Sequence, residues 1–317
     1  MSNQSNYVAG VDIGGTNLRV GVVQGLQLVY EKRTHADFAT LCKTHAPTIA
    51  WQKIIEITSH ALKEAILAYP QITAVGIGFP GFIDPANGLV AQSPNLPGLR
   101  DVDLAQDLSS AIGLPVIVEN DALAAAYGEF RLNKNEAESL IYLGLGTGVG
   151  GGLIHAGKPF SGQHGVAMEV GHIIIDPIEK NPQARLCGCG NYGCMEQYAS
   201  ASGVVVSYES ASGKQASADA IANFAHAGDK HALQAYRLAG ASLAQALAHI
   251  LKVVDVPQVV IGGGMSQAWP LMQAAFEERL EADLIPVLRH KVSIKISDAG
   301  DQAGIIGAAL LAEMSLA

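Results

Sequence analysis

The chain has 317 residues, of which 49% are apolar, so it can build the cores of two domains or of one large α/β unit and is not a disordered protein. Its 20 Lys and Arg residues against 29 Asp and Glu residues give a formal net charge of −9, and no basic block could track a nucleic-acid backbone. No basic N-terminal segment precedes a long apolar run, and no window is long enough to span a bilayer. We therefore expect a soluble cytoplasmic protein, with no nucleic-acid or membrane partner.

The first part of the chain predicts a strand hairpin followed by a helix. The runs "YVAGVDI" and "LRVGVVQ" flank a glycine turn, and a charged strand around "LVYEKRTHA" follows them. A helix is predicted from about Trp51 to Leu67. The strand "ITAVGIGFP" and the segment "LPVIVEND" come next, and a helix is predicted to begin after Asp121.

A second hairpin, "SLIYLGLGTGVGGGLIHAGK", repeats the order of strand, glycine-rich turn and strand, which predicts an internally duplicated chain. The rest is mostly helical in pattern, with a buried strand "QVVIGGG" before an Ala-rich final helix. We expect two α/β domains with a cleft between them. Residues 1–121 would form the first domain, onto which a helix at about 301–317 packs back, and residues 122–300 would form the second.

Three clusters of small residues lie at predicted strand ends, where backbone N–H groups can approach an anion. They are Gly14, Gly15, Thr16 and Asn17; Gly146, Thr147 and Gly148; and Gly262, Gly263 and Gly264. A Gly-Gly pair alone is more simply a tight turn. However, Asp12 ends the first strand, where a carboxylate can meet Mg²⁺. Three such turns together predict ATP as the ligand.

Two other nucleotide-binding patterns are excluded. The chain has no G-x-x-x-x-G-K-[ST] sequence, so it has no Walker-type phosphate loop. The glycine-rich segment 144–152 lies between two predicted strands, whereas the dinucleotide-binding fingerprint joins a strand to a helix. The glycines therefore indicate ATP and not NAD.

Three of the four cysteines, Cys187, Cys189 and Cys194, fall within eight positions in "CGCGNYGC". A disulfide framework, a redox pair and a metal site are the alternatives. Because cytosolic thiols are reduced, and because this spacing can aim three thiolates at one point, a metal site is favoured. The spacing identifies no fourth ligand. Isolated Cys42 is expected to be a small buried or half-buried side chain.

The segment "VENDAL" places Asp121 after an apolar strand and at the start of a helix. An Asp in this position is most often an N-cap residue, and the residue pattern alone favours that interpretation. The alternative is a carboxylate that orients a substrate hydroxyl and accepts its proton.

Four motifs together resemble the ROK family of sugar kinases and repressors: "DIGGTN", "GLGTGVGGG", "MEVGH" and "CGCGNYGCMEQYAS". The resemblance extends from about Val8 to the C-terminus. It implies the two-domain actin-like ATPase fold (ribonuclease H-like), with an interdomain cleft, that hexokinases share. It also implies a homodimer.

The resemblance also implies roles for individual residues. His172 would complete a structural Cys₃His zinc site with the three clustered cysteines, and "DPIEKNPQAR" would be an inserted loop between them. Asp121 would be the catalytic base. The residues that would bind the sugar are Gly81, Asn95, Asn120, Asp121, Glu169, His172 and Glu196. For Asn95, an ordinary turn residue is an equally good interpretation. Met168 is a departure from the family pattern, which often has a small residue at that position.

The implied activity is phosphorylation of the 6-hydroxyl of an aldohexose by ATP and Mg²⁺, with glucose as the first candidate, as in a glucokinase of carbohydrate metabolism and glycolysis. Alternatives are an N-acetylglucosamine or N-acetylmannosamine kinase, a fructokinase or an allose kinase. A sugar-sensing regulatory protein without kinase activity is the non-enzyme alternative. A DNA-binding repressor is disfavoured, because Asp12 lies too close to the start for a winged helix to precede it.

Overall fold

The computed structural model describes residues 6–133 and 137–316, which form two compact units. The first consists of the described residues up to Tyr142, residues 152–167 and the chain from Asp301 onward. The second consists of Leu143–Gly151 and Met168–Gly300. No helix within the described residues is long and apolar enough to cross a membrane.

The strands are β1 (Tyr7–Ile13), β2 (Asn17–Gln24), β3 (Gln27–His35), β4 (Ile72–Phe79), β5 (Phe82–Ile83), β6 (Val90–Gln92), β7 (Arg100–Val102), β8 (Val116–Asn120), β9 (Leu140–Leu145), β10 (Val149–His155), β11 (Lys158–Pro159), β12 (Gln258–Gly262) and β13 (Ser293–Ile296). The helices are α1 (Phe38–Thr44), α2 (Pro47–Ala68), α3 (Leu104–Ile112), α4 (Asp121–Leu132), α5 (Glu196–Ala199), α6 (Ala201–Ser212), α7 (Ala218–His226), α8 (Lys230–Val254), α9 (Trp269–Asp283) and α10 (Gln302–Ser315).

The two large sheets have the same strand order. The first has the order β3-β2-β1-β4-β8 and the second the order β11-β10-β9-β12-β13. In the first, β2 is antiparallel to both β1 and β3, whereas β4 is parallel to β1 and β8. In the second, β10 and β11 are antiparallel and β12 and β13 are parallel. This repetition confirms the predicted internal duplication.

In the first unit, α10 lies directly against the sheet. A Cβ on Gly10 of β1 would lie 2.0 Å from the Ile305 carbonyl oxygen, and one on Gly76 of β4 would lie 1.8 Å from that of Ala308. The helix can reach this distance only because both strand positions are glycine. Other side chains of β1, among them those of Val11 and Ile13, are buried in the hydrophobic core of the first unit.

In the second unit, α8 is the central helix, and its buried face is mainly alanine and leucine. It packs closely on α9, where a Cβ on Gly240 would lie 2.4 Å from the Met272 carbonyl oxygen. Trp269 and Phe276 of α9 meet edge to face, with ring centroids 4.9 Å apart. This helical layer provides the support on which α5 and α6 lie.

Several short elements were not predicted from the sequence. The helix predicted from about Trp51 begins earlier, at Pro47, because proline is well suited to the first turn of a helix. Helices α1 and α3 have only seven and nine residues, and the antiparallel sheet β5-β6-β7 has strands of two or three residues. Patterns this short give little periodic signal.

Candidate active site

Asp12 lies near the end of β1, opposite Arg19 of β2. Its carboxylate is close to α10, since a Cβ on Gly304 would lie 3.8 Å from the Asp12 Cγ. Burial raises the pKa of Asp12 to about 6; Arg19 lowers it, and the neighbouring Asp301 raises it. Arg19 is itself paired with Asp301 at 2.5 Å. Asp12 is therefore a partly buried carboxylate whose charge is only partly compensated, which suits a cation.

The β1–β2 turn is held by backbone hydrogen bonds. The Gly14 N–H donates to the Asn17 carbonyl at 2.8 Å, and the Ala39 N–H donates to the Gly15 carbonyl at 2.9 Å. Arg33 Nε donates to Asn17 Oδ1 at 3.2 Å, and Thr16 is exposed between these anchors. Neither glycine has a positive φ, so it is the missing side chain that leaves room for a ligand.

The β9–β10 turn contains Gly146, Thr147 and Gly148. The Gly146 N–H donates to the Gly148 carbonyl at 3.0 Å, and the Gly146 carbonyl accepts from the Ala201 N–H at 2.9 Å. A Cβ on Gly146 would meet nothing within 4 Å, whereas one on Gly148 would lie 2.8 Å from Glu196 Oε2. The predicted phosphate turn and a predicted sugar ligand are therefore in contact within the second unit.

The third glycine cluster follows β12. Gly263 has a φ of +81°, and a Cβ there would lie 2.4 Å from the carbonyl oxygen of Leu145, the residue before Gly146. Gly262 ends the strand and Gly264 begins a short 3-10 helix. Two of the predicted phosphate turns are thus neighbours in the second unit.

The junction of β8 and α4 separates the roles of Asn120 and Asp121. Asn120 is the N-cap: its Oδ1 accepts from the Leu123 N–H at 3.0 Å, and its Nδ2 donates to the Gly81 carbonyl at 3.1 Å. Asp121 is the first helical residue, and its Oδ1 accepts from the Ala122 N–H at 2.8 Å. The N-cap interpretation of Asp121 is therefore wrong. Its carboxylate lies at the N-terminal end of α4.

The loop after β4 brings Gly81 to Asn120 but leaves Asn95 in solvent. A Cβ on Gly81 would lie 2.7 Å from the Gln92 carbonyl oxygen, so the loop packs tightly on the end of β6. The buried Ser93 hydroxyl donates to the Pro80 carbonyl and accepts from the Leu96 N–H. Asn95 is exposed between Ser93 and Leu96.

Glu169, His172 and Glu196 converge in the second unit. Glu169 precedes a 3-10 helix over Val170–His172, and Met168 before it has a φ of +66°. His172 Nε2 lies 3.8 Å from Glu169 Oε2, and His172 Nδ1 lies 3.8 Å from Glu196 Oε1. Burial raises the pKa of Glu169, His172 lowers it, and Glu196 raises it. The two carboxylates and the imidazole offer several hydrogen-bonding groups for one polar ligand.

His172 and the three clustered cysteines place their ligand atoms within 4.8 Å of one another. His172 Nδ1 is 3.5 Å from Cys187 Sγ, and Cys189 Sγ is 3.6 Å from Cys194 Sγ. All four cysteines of the chain are free thiols, which disagrees with a disulfide framework. One imidazole and three thiols fit a tetrahedral zinc ion with no open coordination position. Isolated Cys42 is buried, as expected.

Comparison with known proteins agrees with this arrangement of motifs. The model of the ROK family matches residues 8–315. The chain belongs to the ROK family. It is 30% identical to a glucokinase of Thermotoga maritima, with 95% of each chain covered. It is 34% identical to an N-acetyl-D-glucosamine kinase of Escherichia coli, with 95% of this chain and 98% of the relative covered.

Solved structures of the family confirm the fold prediction. A ROK glucokinase from Streptomyces griseus, in complex with glucose and AMPPNP, is 30% identical and has a TM-score of 0.79, with 98% of this chain and 100% of that one covered. A ROK hexokinase from Thermus thermophilus is 28% identical and has a TM-score of 0.80, with 98% and 99% covered. The ROK chain therefore has the actin-like ATPase fold that was expected from its motifs.

Proposed function

We propose that this protein transfers the γ-phosphoryl group of ATP to the 6-hydroxyl of an aldohexose, and that glucose is its first candidate substrate. The coarser assignment rests on the family: the chain is an ATP-dependent sugar kinase, and its relatives include glucokinases at about 30% identity over nearly their whole length. The observation that carries the mechanism is the junction of β8 and α4, where Asn120 caps the helix and Asp121 is the first helical residue, with its Oδ1 accepting from the Ala122 N–H.

Asp121 has the chemistry required of the base. A sugar hydroxyl attacks phosphorus more readily when a carboxylate orients it and accepts its proton. Asp121 lies in the first turn of α4. Asn120 holds this turn in place through its bonds to the Leu123 N–H and the Gly81 carbonyl.

The remaining sugar contacts would come from Glu169, His172 and Glu196. Each hydroxyl removed from water must find a new partner, since an unpaired buried polar group costs about 1–3 kcal/mol. Two carboxylates accept hydrogen bonds, and the imidazole can donate from Nε2 if Nδ1 binds a metal. Gly81 and Asn95 are the further proposed contacts.

The glycine turns would hold the nucleotide. Gly14, Gly146 and Gly264 have open or nearly open space where a side chain would otherwise lie, which permits close approach of phosphate oxygens. Asp12 would hold Mg²⁺, directly or through water, and Mg²⁺ supplies neutralisation of phosphate charge when bound. The other proposed nucleotide contacts are Gly15, Thr16, Asn17, Thr147, Gly148, Gly262 and Gly263.

The cysteine cluster would hold a structural zinc ion. With four protein ligands there is no position for a reactive water, so its contribution would be to hold the loop that carries Cys187 and Cys194 beside Glu196. A homodimer and a cytoplasmic location also stay predictions from the family resemblance.

An N-acetylhexosamine kinase is the second candidate. The N-acetyl-D-glucosamine kinase of Escherichia coli is slightly more similar in sequence, at 34%, than the glucokinase of Thermotoga maritima, at 30%. A sugar-sensing regulator is less well supported, because the relatives reported above at 30% and 34% identity are kinases.

The deciding experiment is ATP-dependent phosphorylation of glucose, mannose, fructose, allose, N-acetylglucosamine and N-acetylmannosamine, compared by kcat/KM. Asp121→Asn is the control, because it keeps the size of the side chain and removes the base. Preference for glucose, lost in the variant, would support the proposal. Preference for an acetamido sugar would keep the kinase assignment and replace glucose as the assigned substrate. Sugar binding without turnover would indicate a sugar sensor.

A further inference from the structure

Arg185 ends the long loop between His172 and the cysteines, and its side chain turns inward. Nη1 donates to the carbonyl oxygens of Gln197 at 2.5 Å and Gly203 at 3.1 Å, and Nη2 donates to Ser207 Oγ at 2.9 Å. The guanidinium carbon lies 4.5 Å from the centroid of the Tyr198 ring. One side chain therefore joins α5 to the first turns of α6.

Tyr198 closes the same loop from its other side. Its hydroxyl donates to Asp176 Oδ2 at 2.6 Å and accepts from the Arg185 N–H at 3.2 Å. Asn181 Nδ2 also donates to Asp176 Oδ2, at 2.9 Å. The two ends of the segment 176–185 thus meet on one buried tyrosine. The sequence indicates only an insertion here, whereas the structure shows a closed and internally bonded loop.

Helix α5 depends on such contacts. It has only four residues, Glu196–Ala199, and no side-chain hydrogen bond caps its N-terminus. A single helical turn is unstable in isolation, because fixing the first turn costs more entropy than one hydrogen bond returns. Its position must therefore be set by neighbours, and Arg185 binds a carbonyl within it. The Arg185 carbonyl also accepts from the Gly193 N–H at 2.8 Å, beside Cys194.

We propose that Arg185 is a positioning residue for Glu196, the first residue of α5. By joining the Gln197 carbonyl to α6, the guanidinium fixes the direction in which the Glu196 carboxylate points toward Gly148 and His172. This inference rests on the proposed function of Glu196 as a sugar ligand. Lysine cannot replace arginine here, since an ammonium group has neither the planar fork that binds three acceptors nor the face that stacks on Tyr198.

The test compares Arg185→Lys with the matched variant Arg279→Lys, which changes a half-buried i,i+4 ion pair with Asp283 on α9. Tyr198→Phe is a second, milder variant that keeps the ring beneath the guanidinium. Hydrogen exchange is followed for the amides of residues 197–203, and KM is measured separately for ATP and for the sugar that the wild type phosphorylates. Bound zinc is measured on the same samples.

We expect Arg185→Lys to raise the KM for the sugar about tenfold and to change that for ATP less than about twofold, because misplacing a contact by a fraction of an ångström costs about this much. Hydrogen exchange of the amides of residues 197–203 should be faster in Arg185→Lys than in the wild type. The increase should be smaller in Tyr198→Phe and absent in Arg279→Lys. Equal rises in both KM values, or unchanged exchange, would overturn the proposal. If the wild-type protein phosphorylated no sugar, the proposed function would be refuted. The hydrogen-exchange result would still test whether Arg185 holds α5 in place.

Discussion

The contact between Gly148 and Glu196 allows a sharp test of whether the β9–β10 turn also shapes the sugar site. In Gly148→Ala the new Cβ would lie 2.8 Å from Glu196 Oε2. Because an ordinary contact begins at 3.4 Å, the carboxylate oxygen must move by about 0.6 Å. The fold should survive, since the atom that moves is the end of a flexible side chain.

The size of the effect follows from this displacement. A functional group must lie within about 0.5 Å of its productive position, and a misplacement of about 1 Å can cost about 100-fold. We therefore expect Gly148→Ala to weaken sugar binding about tenfold, or about 1.4 kcal/mol. Gly146→Ala is the matched control in the same turn, because its Cβ would meet nothing within 4 Å.

The assay is sugar affinity measured by calorimetry without nucleotide, so that any direct effect on phosphate binding is removed. Gly148→Ala should weaken sugar binding and Gly146→Ala should not. In a Glu196→Ala background, the change at Gly148 should have no further effect on sugar affinity, since its target is gone. Equal losses in the two glycine variants, or full additivity with Glu196→Ala, would refute the reasoning.

Three further predictions concern Asp121, the cysteine cluster and Asp12. Asp121→Asn should lower kcat by about 10²- to 10⁴-fold in steady-state assays, with a melting temperature close to that of the wild type because Asn120 supplies the cap; retained activity would exclude Asp121 as the base. The purified protein should contain about one zinc per chain by elemental analysis, and Cys194→Ser should lose both the metal and thermal stability; well under one zinc in the wild type would contradict the site. The pKa of Asp12 is raised from 3.8 to about 6, so its folded state binds the proton more tightly and stability falls as pH rises from about 4 through 6. Between pH 5 and pH 8 in Mg²⁺-free buffer, urea unfolding should show that the wild type loses about 1.4 kcal/mol more than Asp12→Asn, and equal losses would contradict this assignment.

The elements that the sequence predicted well are those with a strong pattern. Both hairpins, the strand that ends at Gly262 and the final helix appear where expected, because long aliphatic runs interrupted by glycine favour buried strands and turns. The repeated hairpin predicted an internal duplication, and the two sheets share one strand order. The four predicted metal ligands are close together in space.

What the sequence could not predict depends on contacts that have no local signal. The assignment of the cap to Asn120 and not Asp121 depends on which side chain faces the Leu123 N–H, and either residue type can cap a helix. Arg185 resembles any loop arginine, since two of its acceptors are backbone carbonyls 12 and 18 positions away. The requirement for glycine at position 148 arises only from the approach of Glu196.

These contacts together explain how the proposed structural metal would affect sugar binding in the second unit. The segment from Arg185 to Gln197 begins at the residue whose guanidinium binds α5, contains the three clustered cysteines and ends just after Glu196. The proposed zinc would fix its middle, and Arg185 fixes its last residues through the Gln197 carbonyl. Because both anchors act on the same short helix, removing the metal from Arg185→Lys should weaken sugar binding by more than the product of the two separate effects. If the combined effect equalled the product of the two separate effects, the metal and Arg185 would support different parts of the site.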